Sequence, residues 1–274
     1  MSAPPPAVEA QPKRRSGVRL EWITTPLLIV AALLAWHAYV TEFKVSPFIL
    51  PRPMAVLEGW ADLLRTRSTW WHSWATVYET IAGFACALVA GVIMGAVLGK
   101  IPWLERTLNP FIVASQVVPK VALVPLFVVW FGFGPTTKIL LAAVLAFFPI
   151  FTNTLLGVKS IDLGHRDVMT SLNTTWLQRF RHLELPSALP YILTGMEVGI
   201  VLAIIGAVVG EYLGGNQGLG YLLIAKMNAY ETDMLFAVLI HLTVIGFIFY
   251  LSVGLLRRFL IPWHESVQME RRGR

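Results

Sequence analysis

Few residues in this chain have the type and spacing to do chemistry, and most of those lie in apolar surroundings. Lys120 stands between Pro119 and Pro125 in "NPFIVASQVVPKVALVPLFVVWFGFGP", about ten residues from either end of an apolar run. A cation at that depth in lipid costs about 2.5–3.5 kcal/mol on insertion scales unless it is paired or hydrated. It therefore either lines a wet path, as broken helices do in transporters, or lies near an interface and snorkels. Glu79, Glu197, Glu211, His37 and His241 are the other ionisable groups in or near apolar runs. Glu197, mid-run and flanked by small residues, is expected to face an interior; Glu211 is expected close to an outer end, within reach of water.

The remaining motifs exclude catalysis. "GGNQGLGY" (214–221) is glycine-rich, but no strand precedes it and no lysine follows in the place that phosphate binding requires. It reads as a tight turn before a short outer helix. Gly99-Lys100 lacks the upstream glycine and the hydroxyl of a nucleotide-binding loop. No metal-ligand cluster and no nucleophile–base set stands out. The single cysteine, Cys86, lies within an apolar run and is assigned to packing.

The elements that must position these residues are membrane spans. The 274-residue chain is 56% hydrophobic and 14% charged, with mean hydropathy +0.65, whereas soluble domains are nearer a quarter charged. Six runs approach the ~20 residues needed to cross a bilayer: 22–40, 76–99, 109–131 (broken by its prolines), 137–157, 188–213 and 235–261. The fold class is an all-α integral membrane protein with six transmembrane helices. Residues 1–21 are expected to be a disordered basic tail, 41–73 an outer segment, and 265–274 a second basic tail. The first apolar run is too long for a signal-peptide core and reads as an uncleaved span.

With both termini inside, Lys44, Arg52, Arg65, Arg67, Lys138 and Lys226 fall outside, Lys120 falls within a span, and the other 15 of 22 basic residues fall inside. That asymmetry sets the orientation under the positive-inside rule. The net charge of +6 reflects orientation in the bilayer and gives no support to nucleic-acid binding. Small residues recur every fourth position at Gly83, Ala87, Gly91, Gly95 and Gly99, and again at Gly195, Gly199, Ala203 and at Gly206, Gly210 and Gly214. Such faces let helices approach closely where lipid supplies no hydrophobic drive.

One polar stretch interrupts the apolar chain: "HRDVMTSLNTTWLQRFRHLELPSALP", residues 165–190. Val168, Met169, Leu172, Trp176, Phe180 and Leu183 form a stripe at helical spacing, opposite Asp167, Gln178, Arg181 and His182. Thr175-x-x-Gln178 matches a capping box, and Asn173 suits the left-handed residue that ends a helix. Two short helices are expected, with Pro186 and Pro190 in the first turns of span five. The stripe either meets a cytoplasmic partner or packs on the chain's own inner ends.

This stretch resembles the EAA loop of permease subunits of binding-protein-dependent ABC importers: Glu-Ala-Ala, three residues, Gly, nine residues, Ile, one residue, Leu-Pro. Asp167-Val168-Met169 takes the first triplet, Asn173 the glycine, Leu183 the isoleucine, and Leu185-Pro186 matches outright. "VVPKVALVPLFVVWFGFGPTTKILLAAVLAFFPIFTNTLLGV" and "GEYLGGNQGLGYLL" are similar to the nitrate/sulfonate/taurine-type permeases, and the resemblance spans about residues 70–262. It implies the type I importer (MetI-like) fold over 74–264, with a coupling elbow at 165–186. The implied setting is an inner-membrane homodimer with a cytoplasmic ABC ATPase dimer and a substrate-binding protein outside. This chain would bind no cofactor; ATP and Mg belong to the ATPase. Asp167, Leu172, Asn173, Trp176 and Leu183 would shape or form the ATPase contact, and Pro186 would relay its movement. Gln116, Lys120 and Glu197 would lie on the path of a small solute, an anion such as nitrate, a sulfonate, taurine or bicarbonate. Related permeases carry pyrimidine, flavin-related or aromatic acid compounds. A secondary transporter, expected to show inverted repeats and no docking elbow, and a channel are the rivals.

Overall fold

The computed structural model describes residues 21–262, and within them every regular element is helical. The expected tails, 1–21 except for Glu21 and 265–274, lie outside the described residues. Helix α1 (Glu21–Glu42) is followed by α2 (Pro53–Arg65), α3 (Arg67–Lys100), α4 (Pro102–Val117), α5 (Val124–Phe131), α6 (Pro135–Lys159), α7 (Leu163–Ser171), α8 (Trp176–Arg179), α9 (Leu185–Gly214), α10 (Leu219–Asn228) and α11 (Thr232–Leu260). Five helical segments are long and apolar enough to cross a bilayer, and α4 with α5 makes a sixth that is bent by 84°.

The bend sits where the prolines predicted it, for a sharper reason than a mid-helix clash. Val118, before Pro119, is extended (ψ 125°), as the ring of a following proline demands. A 3-10 turn, Lys120–Leu123, then leads into α5, whose first turn holds Pro125. There proline's missing N–H costs nothing. Two expectations at the outer segment change. Span two begins at Arg67, well before 76, and the stretch 41–73 contains the amphipathic α2, which buries Val56, Gly59 and Leu63 toward α11.

Helix α6 is the centre of the bundle, clasped by α3 on one side and α9 on the other. The glycine stripes make that possible. A Cβ on Gly91 would meet Ile150 at 3.0 Å, and one on Gly95 would meet Thr154 at 2.7 Å. Gly99 faces Val158. From the other side, Gly195 faces the Pro149 carbonyl, Gly199 the Ile150 side chain and Gly206 the Ala142 backbone. Ala142, Ala146 and Ile150 are fully enclosed between these faces.

Candidate functional site

At one end of the bundle the chain folds into an elbow. Asp162 caps α7 by accepting from the Gly164 N–H at 2.6 Å. At the other end of α7, Asn173 takes φ +49°. The Asn173 N–H donates to Thr170 O and the Thr174 N–H to Met169 O, which together make a Schellman closure. Thr175 and Gln178 form the reciprocal capping box. Arg179 donates to Thr170 Oγ1 at 3.1 Å, tying the two arms together.

The second arm is not a separate short helix. From Trp176 the helix runs unbroken to Gly214, 39 residues, through a π turn at Phe180–Glu184 in which the Leu185 N–H reaches back to Phe180 O. The widening lies one turn before Pro186, whose ring would otherwise collide with the His182 carbonyl. Ion pairs from Lys100 to Glu184 (2.5 Å) and from Lys159 to Glu105 (2.7 Å) hold the elbow and the corner between α3 and α4 at the same end of the bundle.

The predicted apolar stripe divides. Leu183 is buried and supports the elbow from beneath, and Met169 is half-buried. Phe180 stacks on Trp176 at 5.9 Å and lies under Lys100. The outward half is bare: Leu172 is 68% and Trp176 71% exposed, with Leu163, Val168 and Leu177 also exposed. Asp167 and Asn173 are exposed beside them, and Pro186 is half-buried.

At the opposite end lies a polar knot that sequence reading missed. Lys138, expected on the outer side, is 2% exposed; its ammonium donates to Glu79 Oε1 at 2.9 Å and to Gln217 O at 3.0 Å. Glu211, expected to be wet, is fully buried. It accepts from Thr76 Oγ1 at 2.6 Å and from the Gly220 N–H at 2.7 Å. Thr76 in turn accepts from the Leu219 N–H at 2.8 Å, and His72 Nδ1 accepts from the Gly218 N–H at 3.1 Å. The glycine-rich stretch thus directs its backbone amides inward, Gly220 N–H to the Glu211 carboxyl, Leu219 N–H to Thr76 and Gly218 N–H to His72. Gly218, at φ +109°, lies where a Cβ would run into the Glu211 carboxylate. Helices α3, α6 and α9 and the 215–220 loop are locked together by these bonds.

Between the two ends, α3, the Lys120 turn and α6 enclose an open cavity of about 530 Å³. Lys120 lies on its wall, donating to Gln116 O at 3.2 Å with its ammonium 4.6 Å from the Phe148 ring centroid. Gln116 is exposed on α4. Glu197 is not part of this cavity; it pairs with Arg257 of α11 at 3.3 Å.

A profile of the "Binding-protein-dependent transport system inner membrane component" family matches residues 87–263. The chain belongs to this family. It is the permease subunit of an ABC importer, a multi-pass inner-membrane protein that works with an ATPase and a binding protein and is not itself the ATPase. The chain is 36% identical over 263 residues to the riboflavin transport system permease protein RibX of Chloroflexus aurantiacus, covering 95% of this chain and 98% of the relative. It is 31% identical over 267 residues to the putative aliphatic sulfonates transport permease protein SsuC of Bacillus subtilis, covering 97% of each. Among solved structures, a chain of the inward-facing MetNI methionine ABC transporter matches with a TM-score of 0.52 at 18% identity, over 76% of this chain and 97% of that one. The permease fold expected from the sequence is thereby established.

Proposed function

We propose that two copies of this permease form the translocation path for a small solute delivered by the binding protein, with both termini in the cytoplasm. The elbow is the seat of the ATPase: Leu172 and Trp176 enter a groove on that partner, Asp167 and Asn173 set the approach, Leu183 backs the surface, and Pro186 passes its displacement into α9. ATP-driven closure of the ATPase pair draws the two elbows together and opens the path outward; hydrolysis resets it. The observation that carries this reading is the bare Leu172–Trp176 surface at the tip of a helix continuous with span five, since contiguous exposed apolar patches mark interaction surfaces. The excess of basic residues at the elbow end and tails supports the orientation.

The path is assigned to Gln116, Lys120 and Glu197, and the solute to small anions such as nitrate, sulfonates, taurine or bicarbonate. A flavin is the second reading, favoured by the 36% identity to a permease named for riboflavin. Charge introduced at the elbow, Asp167→Lys or Leu172→Asp, is expected to abolish ATP-dependent uptake and ATPase co-purification while leaving membrane insertion intact. Uptake that survives both substitutions and needs only an ion gradient would overturn the importer coupling. A ligand screen on the partner binding protein decides between anion and flavin.

A further inference from the structure

We infer that the cavity between α3, the Lys120 turn and α6 is a station for an organic monoanion, one charged sulfonate or carboxylate carried on a flat or aliphatic body. The inference rests on the importer reading for its biological role and on the cavity alone for its chemistry.

The charge pattern comes first. Lys100, Lys138, Lys159 and Lys226 each hold a carboxylate within 3.0 Å. Lys120 sits in a broken span, and among the described residues no carboxylate lies within ion-pair distance of it. Its ammonium has one carbonyl and one ring face, which leaves N–H donors free. An uncompensated cation in an apolar wall is expensive, and a bound anion would supply the missing charge.

The lining then selects the anion. Cys86, Leu140, Phe147 and Phe148 join Lys120 around the cavity, and the Ser115 hydroxyl on its wall donates to its own helix at Ile112 O. Nearly all donor capacity toward a ligand therefore resides on one ammonium. Nitrate or bicarbonate would lose its hydration shell and find few replacement donors. A molecule with one anionic group would place that group on Lys120 and its body on the two phenylalanines. The volume of about 530 Å³ is within the range of sites for organic ligands.

Cys86 is the chain's only cysteine, is exposed and lines the cavity, so its alkylation reports occupancy directly. The full chain, with any co-purifying subunits, is reconstituted in nanodiscs of phosphatidylcholine, and N-ethylmaleimide labelling is timed with and without 2-naphthalenesulfonate. Naphthalenesulfonate at about nine times its dissociation constant is expected to slow labelling about tenfold, the unoccupied fraction then being about one tenth by mass action. Nitrate at the same concentration and added phosphatidylglycerol are expected to leave it unchanged. The ratio of rates with and without ligand is expected to fall to one in Lys120→Met and to persist in Lys120→Arg. Absence of protection, equal protection in Lys120→Met, or equal protection by nitrate would overturn the site; equal protection by phosphatidylglycerol would make it a lipid contact and overturn it as a solute station. The labelling needs neither ATP nor uptake, so its failure leaves the importer reading standing, and failure of the elbow variants leaves the labelling result standing.

Discussion

The two ends of helix α9 are built on opposite principles. At the loop end, ionisable and polar groups are enclosed, and most of them hold partners within the chain: Lys138 with Glu79 and Gln217, Glu211 with Thr76 and Gly220. At the elbow end, polar groups are capped locally while large apolar side chains stand bare. A group that cannot be left alone in lipid has been satisfied internally, because an unpartnered charge there costs several kcal/mol. The apolar groups at the elbow have not been covered by this chain, which is what a surface awaiting another chain looks like.

That contrast can be broken most violently at Lys138. Lys138→Met leaves the Glu79 carboxyl buried without its cation, an expected loss of about 3–5 kcal/mol. It should be read as a lowered unfolding temperature in detergent and a smaller inserted fraction, and adding Glu79→Gln should recover part of it. A Lys138→Met protein as stable as the parent would mean that the knot is decorative. An intermediate effect is expected from Thr175→Ala, which removes one arm of the capping box and should cost about 1 kcal/mol, visible as faster amide exchange confined to residues 175–179. Trp176→Ala should change stability least, by no more than about 0.5 kcal/mol for an exposed residue, while ATP-dependent uptake per inserted permease collapses. If its unfolding temperature instead fell as far as that of Lys138→Met, Trp176 would belong to the core and the contrast would fail.

What the sequence made legible follows from the range over which each signal acts. Span positions, the break at Pro119 and Pro125, the left-handed Asn173 and the Thr175–Gln178 box are set by residues within a turn or two of one another, and all are present in the structure. The four-residue glycine spacing is local too, although only the fold reveals that both stripes clasp α6. The knot was hidden because its bonds join residues 59 and 135 apart. Hydropathy alone places Lys138 and Glu211 near span ends and so in water; only the relative depth of α3, α6 and α9 brings them together. The coverage of the stripe at Leu183 and the exposure at Leu172 likewise depend on how the elbow tilts, which periodicity does not encode. The pairing of Glu197 with Arg257 crosses 60 residues and was equally out of reach.

The unbroken helix from Trp176 to Gly214 has a mechanical consequence. At 1.5 Å per residue its 39 residues form a rod roughly 58 Å long, packed against α6 along glycines on which α6 side chains such as Ile150 seat. Its far tip is held by the bonds of Glu211 to Thr76 and Gly220, so a displacement applied at Trp176 works against a fixed end. The wide turn at Phe180–Glu184 is the place along it where the regular i→i+4 bonding gives way to a longer step, and it lies between the bare tip and the held one.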